Sequence, residues 1–322
     1  MKKMPHTVKA AFVTGGSGFL GKHLIRRLVE LGITCKALAR SKASADIVQG
    51  LGAEPINGDV TDKEALSKGC QGCDTVYHCA GKVDLEGPWE EFVQITVKGT
   101  ELCLQAAREA GVQRFVYVSS EQAILGGPVL VNADETWPYP ENSDGPYAAS
   151  KKFAELKVKE YNSEGFAAMT VRPRLIWGLE DSVVLPRFCE AVTSGKWKWI
   201  GGGTHLTSTV NVKNVVEGML KVSENGRGGE VYFLTDGEAV EFKSFMTRLM
   251  KTRGVDASNC GSLPCWLASF VSFFGVIPGP VINLFGKECT VSNKKVREEC
   301  GYENVISIEE GLKELEEESA AK

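Results

Sequence analysis

The 322-residue chain lacks any apolar stretch long enough to cross a bilayer as a helix. Its most apolar part, Ser262 to Gly286, is broken by prolines. The uninterrupted piece, Cys265 to Ile277, is 13 residues where a span needs about 20. No block of like charge occurs, and the net charge of −4 gives no electrostatic footprint for nucleic acid, so no nucleic-acid partner is expected. Histidine is scarce, with 4 in the chain. Internal repeats and low-complexity tracts are absent. Ten cysteines are scattered singly except for Cys70 and Cys73, and one Cys-x-x-Cys without a second pair cannot build a structural zinc site; no metal is expected. After the N-terminal Met-Lys-Lys-Met-Pro-His, the apolar run stops within five residues at Gly15. That is shorter than the apolar region of a signal peptide and reads as a first strand. Reduced thiols and a cytoplasmic location follow as expectations.

What is present is ordinary globular composition, 43% hydrophobic and 24% charged, enough for one large α/β domain or a main domain with a smaller lobe. Ala10 to Thr14 is a short, partly β-branched apolar run. It leads at once into Gly15-Gly16-Ser17-Gly18-Phe19-Leu20-Gly21 and then Leu24, Ile25, Leu28 and Leu31 at helical spacing. Strand, glycine turn and helix in this order form a dinucleotide-binding arrangement. Gly15 permits the tight turn, Gly18 a close approach of the pyrophosphate, and Gly21 close packing of the helix, with Ser17, Phe19 and Leu20 in the same cofactor-binding turn. Phosphate charge then lies among the unpaired N–H groups of the helix N-terminus. Thr34 to Ala39 reads as the second strand, and Arg40 follows it. An acid there would hold the ribose 2′-hydroxyl of NAD, whereas a basic residue can pair with the 2′-phosphate of NADP. NADP(H) is the favoured cofactor, and NAD(H) remains open. Further strands end at Val60, Cys79, Ser120 and Arg172, alternating with helical patterns that include a long amphipathic one from Pro88 to Ala110. The fold class is therefore α/β. A Rossmann-type doubly wound parallel sheet is expected over residues 1–178. Residues 179–322 form a mixed region of returning strands and helices with a smaller C-terminal substrate-binding lobe.

Tyr147-Ala148-Ala149-Ser150-Lys151 carries the chemistry. On a helix the phenol and the ammonium project from one face, a turn apart. A free tyrosine holds its proton near pKa ~10, and a fixed positive charge beside it favours the phenolate, which makes Tyr147 a candidate acid/base at neutral pH. A hydroxyl donor is needed upstream. Leu125 to Pro146, rich in Gly, Pro, Asn and Asp, reads as an active-site loop.

The spacing Thr14-Gly-Gly-x-Gly-Phe-Leu-Gly resembles the extended branch of the short-chain dehydrogenase/reductase superfamily. The narrower resemblance is to its 3β-hydroxysteroid dehydrogenase-like group, on Arg-Pro-Arg-Leu-Ile-Trp-Gly at 172–178 and Gly-Lys-Trp-Lys-Trp-Ile-Gly-Gly-Gly at 195–203. The resemblance implies hydride transfer between a nicotinamide and a secondary alcohol or ketone. Tyr147 would be the proton donor/acceptor, Lys151 would lower its pKa and hold the nicotinamide ribose, and Ser120 would orient the carbonyl, with Ser119 as the fallback. It further implies that Asp59 and Val60 flank the adenine, that Cys79, Ala80 and Gly81 let the ribose lie against the backbone, and that backbone atoms after Pro173 fix the carboxamide. Thr96 stands where relatives carry an asparagine that positions the lysine. Glu121 and Gln122 are expected to face the substrate, and His78 to be a half-buried strand residue. Extended members often pair as dimers, so a homodimer is compatible.

Two readings of 262–286 compete. Either it walls a pocket for a small apolar, steroid- or sterol-like substrate or touches a membrane surface, or it packs the lobe's own core. Two other functions stay open: a nucleotide-sugar epimerase or dehydratase with tightly held NAD, and a non-catalytic dinucleotide sensor.

Overall fold

The computed structural model describes residues 5–274 and 278–320. The strand–helix alternation is realised as β1 (Ala10–Thr14), α1 (Phe19–Glu30), β2 (Thr34–Ala39), α2 (Lys42–Gly50), β3 (Glu54–Asn57), α3 (Lys63–Cys70) and β4 (Thr75–His78). A long helix then runs as α4 (Trp89–Phe92), a π-helical turn (Val93–Lys98) and α5 (Gly99–Glu109). Next come β5 (Arg114–Val118), β6 (Leu130–Ala133), α6 (Gly145–Tyr161), β7 (Ala167–Pro173) and β8 (Ile176–Trp177). The second half holds α7 (Leu185–Thr193), β9 (Trp199–Ile200), β10 (Leu206–Thr207), β11 (Val210–Asn211), α8 (Val212–Asn225), β12 (Val231–Leu234), β13 (Val240–Glu241) and α9 (Phe242–Lys251). It closes with β14 (Ser262–Leu263), α10 (Cys265–Phe273), α11 (Gly279–Phe285), β15 (Cys289–Val291), α12 (Lys294–Cys300) and α13 (Ile308–Ala320).

Seven strands form one sheet in the order β12-β7-β5-β4-β1-β2-β3, every pair parallel. Its strands are apolar on both faces because helices cover both. In β1, Ala11 and Val13 pack with Leu24, Ile25 and Leu28 of α1 and Val215 and Met219 of α8. Phe12, pointing the other way, packs with Leu66 of α3 and Leu102 and Leu104 of α5. Leu31 does not join this face. It is the C-cap of α1, just past the last helical residue Glu30, and stays 48% exposed.

The segment expected to be a loop, 125–146, contains β6, which joins a second sheet in the order β13-β10-β15-β6. That small sheet and an aromatic cluster (Trp177, Phe188, Trp199, Phe242 and Phe245) build the lobe beside the main sheet. Trp197 stacks edge-on to Phe188 at 5.0 Å and to Trp199 at 5.2 Å. The Asp236 carboxylate ties the lobe to the sheet, accepting from Trp177 Nε1, Thr209 Oγ1, the Asn211 amide and Asn214 Nδ2 at 2.7 to 3.0 Å. Residues 275–277 of the apolar run and 1–4 of the expected first segment lie outside the described residues. The rest of the run divides. From α11, Val281, Leu284 and Phe285 line a cavity, whereas α10 buries Ala268 and leaves Trp266, Phe270, Phe273 and Phe274 exposed. No helix among the described residues is long and apolar enough to cross a membrane.

Candidate active site

At the carboxyl ends of β1, β4, β5 and β7 the structure opens a cavity of about 780 Å³. Its lining includes Gly15, Ser17, Gly18, Phe19, Leu20, Gly21, Arg40, Asp59, Val60, Cys79, Ala80, Gly81, Ser120, Tyr147, Lys151 and Pro173, so residues singled out across the sequence meet around one space.

The glycine turn is shaped by sterics. Gly15 has φ +70°, and a Cβ there would stand 2.9 Å from the Ala80 amide nitrogen. A Cβ on Gly21 would stand 2.2 Å from the Gly15 carbonyl oxygen, so the helix packs against the turn itself more closely than against the strand. Helix α1 begins without a side-chain cap and with no acid in its first turn. Its free N–H groups and positive dipole end therefore suit an anion. Arg40 is exposed at the cavity and makes no ion pair among the described residues. Asp59 folds back on Thr61, accepting from its amide at 2.7 Å and its hydroxyl at 2.6 Å, and those bonds hold the carboxyl below its ordinary range. An uncapped helix end, a glycine cradle and an unpaired guanidinium together fit a dinucleotide.

His78 is fully buried rather than half-buried and joins two elements. Thr100 donates to the Thr96 carbonyl at 2.6 Å, so its oxygen accepts from His78 Nε2 at 3.1 Å. His78 Nδ1 then accepts from Thr14 Oγ1 at 2.8 Å, and Thr14 accepts from the Ala80 amide at 3.3 Å. Burial pushes the imidazole down to about 3, which keeps it neutral, as this chain of bonds requires. Cys79, beside it, is a thiol pushed up to about 12 by burial. Thr96 sits in the π-helical turn, and its oxygen accepts from the Lys82 amide at 3.1 Å instead of engaging Lys151.

Helix α6 starts at Gly145 with Pro146 in its first turn and presents Tyr147 and Lys151 on one face. Lys151 is buried, donates to the Val118 carbonyl at 2.9 Å and lies 5.0 Å from the Tyr117 ring centre. Burial pulls its ammonium down to about 8. Tyr147 is half-buried at the cavity wall, with Lys151 Nζ 5.8 Å from its ring centre. Its phenol is held above the ordinary tyrosine range, first by burial and then by the Glu121 carboxylate, while Ser120 acts the other way. With Lys151 turned to Val118, the expected lowering of Tyr147 by the ammonium is not the governing influence in this arrangement.

Ser119 and Ser120 both line the cavity, but they differ. Ser119 Oγ is buried and has no hydrogen-bond partner among the described residues, whereas Ser120 Oγ donates to Glu121 Oε2 at 2.6 Å. Glu121 does face the cavity, yet it is buried and ion-paired to Arg174 at 3.2 Å. Beneath α6, Arg172 forks onto Glu155 at 2.6 to 3.2 Å, and Tyr139 donates to the same carboxylate at 2.6 Å. Sequence reading missed both ion pairs. The available signal was an acid directly after the serine strand and two arginines flanking Pro173.

The family model of the 3-beta hydroxysteroid dehydrogenase/isomerase family matches residues 12–265. A ketoreductase of Stigmatella aurantiaca named for 4-hydroxy-2-methyl-3-oxo-4-farnesyl-3,4-dihydroquinoline-1-oxide is 41% identical over 317 residues, covering 94% of this chain and 95% of that one. The decarboxylating sterol-4-alpha-carboxylate 3-dehydrogenase of Dictyostelium discoideum is 31% identical, covering 96% and 100%. Among solved structures, dTDP-glucose 4,6-dehydratase from Streptomyces venezuelae shares the fold with a TM-score of 0.79 at 22% identity, covering 97% of each chain. The chain belongs to the 3-beta hydroxysteroid dehydrogenase/isomerase family and is an NAD(P)-dependent dehydrogenase/reductase of the extended short-chain type.

Proposed function

We propose that this enzyme reduces a ketone carried on a large apolar body to the secondary alcohol, with NADPH as the favoured reductant. The observation that carries the reading is the continuity of one cavity. It runs from the glycine turn past Ser120, Tyr147 and Lys151 to an apolar end walled by Val184, Phe188, Trp197, Leu284 and Phe285. Bound nicotinamide dinucleotide supplies the hydride. Tyr147 Oη holds the proton that the carbonyl oxygen takes up, Ser120 Oγ stands beside it, and Lys151 keeps a cation at the cavity wall. Arg40 supports the 2′-phosphate. The names of the relatives share a 3-oxo or 3-hydroxy function on a farnesylated ring or a sterol, and we extend that substrate class to this chain. A nucleotide sugar fits less well. Arg187 at the apolar end is already paired with Asp84 at 3.2 Å, leaving it poorly placed for a diphosphate. The test is NADPH consumption on a panel of 3-ketosteroids, prenylated quinolones and 2-alkyl-3-oxoalkanoates. Turnover is expected to fall about 10²- to 10⁴-fold in Tyr147→Phe. Tightly co-purifying NAD with conversion of a nucleotide sugar and no net redox would overturn the reading.

We further propose that α10 rests on an anionic lipid surface from which the substrate is drawn. Trp266 is 71% exposed and Phe273 87%, with Phe270 and Phe274 beside them. No Asp or Glu occurs from 257 to 286. Lys198, whose Nζ lies 3.3 Å from where a Gly261 Cβ would stand, and Lys287 offer cations at this face, with Asp256 and Glu288 bounding the acid-free stretch. Helix α11, packed beside α10, carries Val281 and Leu284 into the cavity. Sedimentation with phosphatidylcholine vesicles, with and without phosphatidylserine, tests this. Binding is expected to need the anionic lipid and to be lost in Phe270→Ser/Phe273→Ser. A dimer broken by those substitutions, with no vesicle binding, would assign the face to a second copy instead.

A further inference from the structure

Most polar side chains around the reacting end of the cavity are engaged with the protein itself. Ser120 Oγ donates to Glu121 Oε2 at 2.6 Å. Glu121 pairs with Arg174 at 3.2 Å, and Arg174 also donates to Thr207 Oγ1 at 3.1 Å and to the Leu284 carbonyl at 3.0 Å. Lys151 donates to the Val118 carbonyl at 2.9 Å. Ser119 Oγ and, at the apolar end, Trp197 Nε1 lack partners among the described residues, but both atoms are sealed from solvent and so from a molecule in the cavity. Gln122 differs. Its side chain forms no hydrogen bond or ion pair among the described residues, and it lines the cavity.

The backbone that carries this glutamine is fixed. Glu121 to Ile124 form a single tight helical turn in which Gln122 is the one residue that is not buried. Ser120 caps the turn, its oxygen accepting from the Gln122 amide at 3.3 Å. Ala123 and Ile124 anchor it in the core. The Leu125 carbonyl accepts from the Asp144 amide at 3.2 Å, where the helix that carries Tyr147 begins. The carboxamide is thus presented to the cavity two residues beyond Ser120, on an element tied to the one that holds the acid/base.

We propose that Gln122 is a specificity-determining residue: its carboxamide holds a second, neutral oxygen of the substrate, a hydroxyl or carbonyl on the first or second carbon from the ketone. The proposal deepens the reductase reading and rests on it. A carboxamide both donates and accepts, so it takes either kind of oxygen. A carboxylate is not its match. Arg174 is neutralised by Glu121, Arg187 is paired with Asp84 at 3.2 Å, and Lys151 is turned to Val118, so no free cation stands beside it. A plain ketone on an apolar body would displace water from the carboxamide and return no hydrogen bond, and the site would discriminate against it for that reason.

The experiment compares three ketones of one chain length: a 3-oxo methyl ester, the α-hydroxyketone, and the plain ketone without the second oxygen. A second oxygen alters the intrinsic reactivity of a carbonyl. The quantity read is therefore how each preference changes between the wild type and Gln122→Met, which nearly keeps the volume and removes the amide. The kcat/KM preference for the oxygenated ketones over the plain one is expected to fall about 3- to 10-fold in the variant, the size of one neutral hydrogen bond, with the change carried by KM. Calorimetric titration of the matching alcohols, diol against mono-alcohol, into the enzyme loaded with NADPH forms a complex that cannot react, and the ratio of Kd values should fall alike. A wild type that reduces none of the ketones would sink the reductase reading and leave this titration intact. Should methionine disturb the turn, Gln122→Ala is judged the same way. Preferences that stay in place in a folded variant, a wild type that binds neither alcohol, or a stronger preference for the free 3-oxo acid than for its ester would overturn the proposal, leaving Gln122 a hydrated residue of the cavity wall.

Discussion

Replacing Lys151 by methionine should leave the enzyme inactive but about as stable as before at neutral pH, with a pH dependence that exposes the reason. The ammonium is buried without an ion pair among the described residues, and burial lowers it from the usual 10.5 to about 8. Below pH 8 the folded protein holds a charge that the unfolded chain would carry more comfortably. As pH rises from about 8 to 10.5 the folded lysine is already neutral and the unfolded one is not, so the penalty fades and stability increases. At about 1.4 kcal/mol per tenfold change in proton affinity, the penalty is about 3 kcal/mol at pH 7 and about 1.4 kcal/mol at pH 9.5. Methionine removes it while nearly filling the volume. The loss of a charged hydrogen bond to the Val118 carbonyl, about 1.5–3 kcal/mol, offsets most of that gain. Equilibrium urea unfolding without cofactor, at pH 7 and pH 9.5, should show the wild type gaining about 2 kcal/mol relative to Lys151→Met over that interval. A difference between the two proteins that does not move with pH would refute the reasoning, whatever its size.

The buried pair under α6 makes a second stability test: Glu155→Gln should cost about 3–5 kcal/mol by stranding Arg172, and Glu155→Leu/Arg172→Leu should recover most of it in the same unfolding assay. If Arg40 holds a 2′-phosphate, Arg40→Ala should weaken NADPH binding about 10- to 100-fold and leave NADH binding within about twofold, as read by fluorescence titration. Equal losses for both cofactors would argue against that contact. Gly21→Ala places a methyl 2.2 Å from the Gly15 carbonyl and should abolish dinucleotide binding, checked by the same titration.

What could be read from the sequence is what depends on neighbours along the chain. The glycine turn was legible because each glycine answers a local demand, and Tyr147 and Lys151 because helical spacing alone puts them on one face. The order of strands followed from short apolar runs alternating with helical patterns. What escaped depends on partners distant in the sequence. Glu121 and Arg174 each look like a polar residue near a strand end, and only the sheet brings them to 3.2 Å. The strands of the second sheet run to four residues at most and come from four regions, so none has a periodicity of its own to detect. His78 could not be seen as a buried link because its partners, Thr14 and Thr100, lie on different elements.

The parallel edge formed by β7 is closed by β12, and β6 finds its partner only in β15, near the far end of the chain. During synthesis on a ribosome, the dinucleotide turn, Tyr147 and Lys151 would all emerge long before those partners. A growing chain would then carry an open sheet edge and an unwalled apolar surface while the remaining half is translated, at roughly 5–20 residues per second. The step at which this enzyme is most exposed to aggregation is therefore the translation of its second half, and slowing that stretch should raise its need for chaperones more than slowing the first.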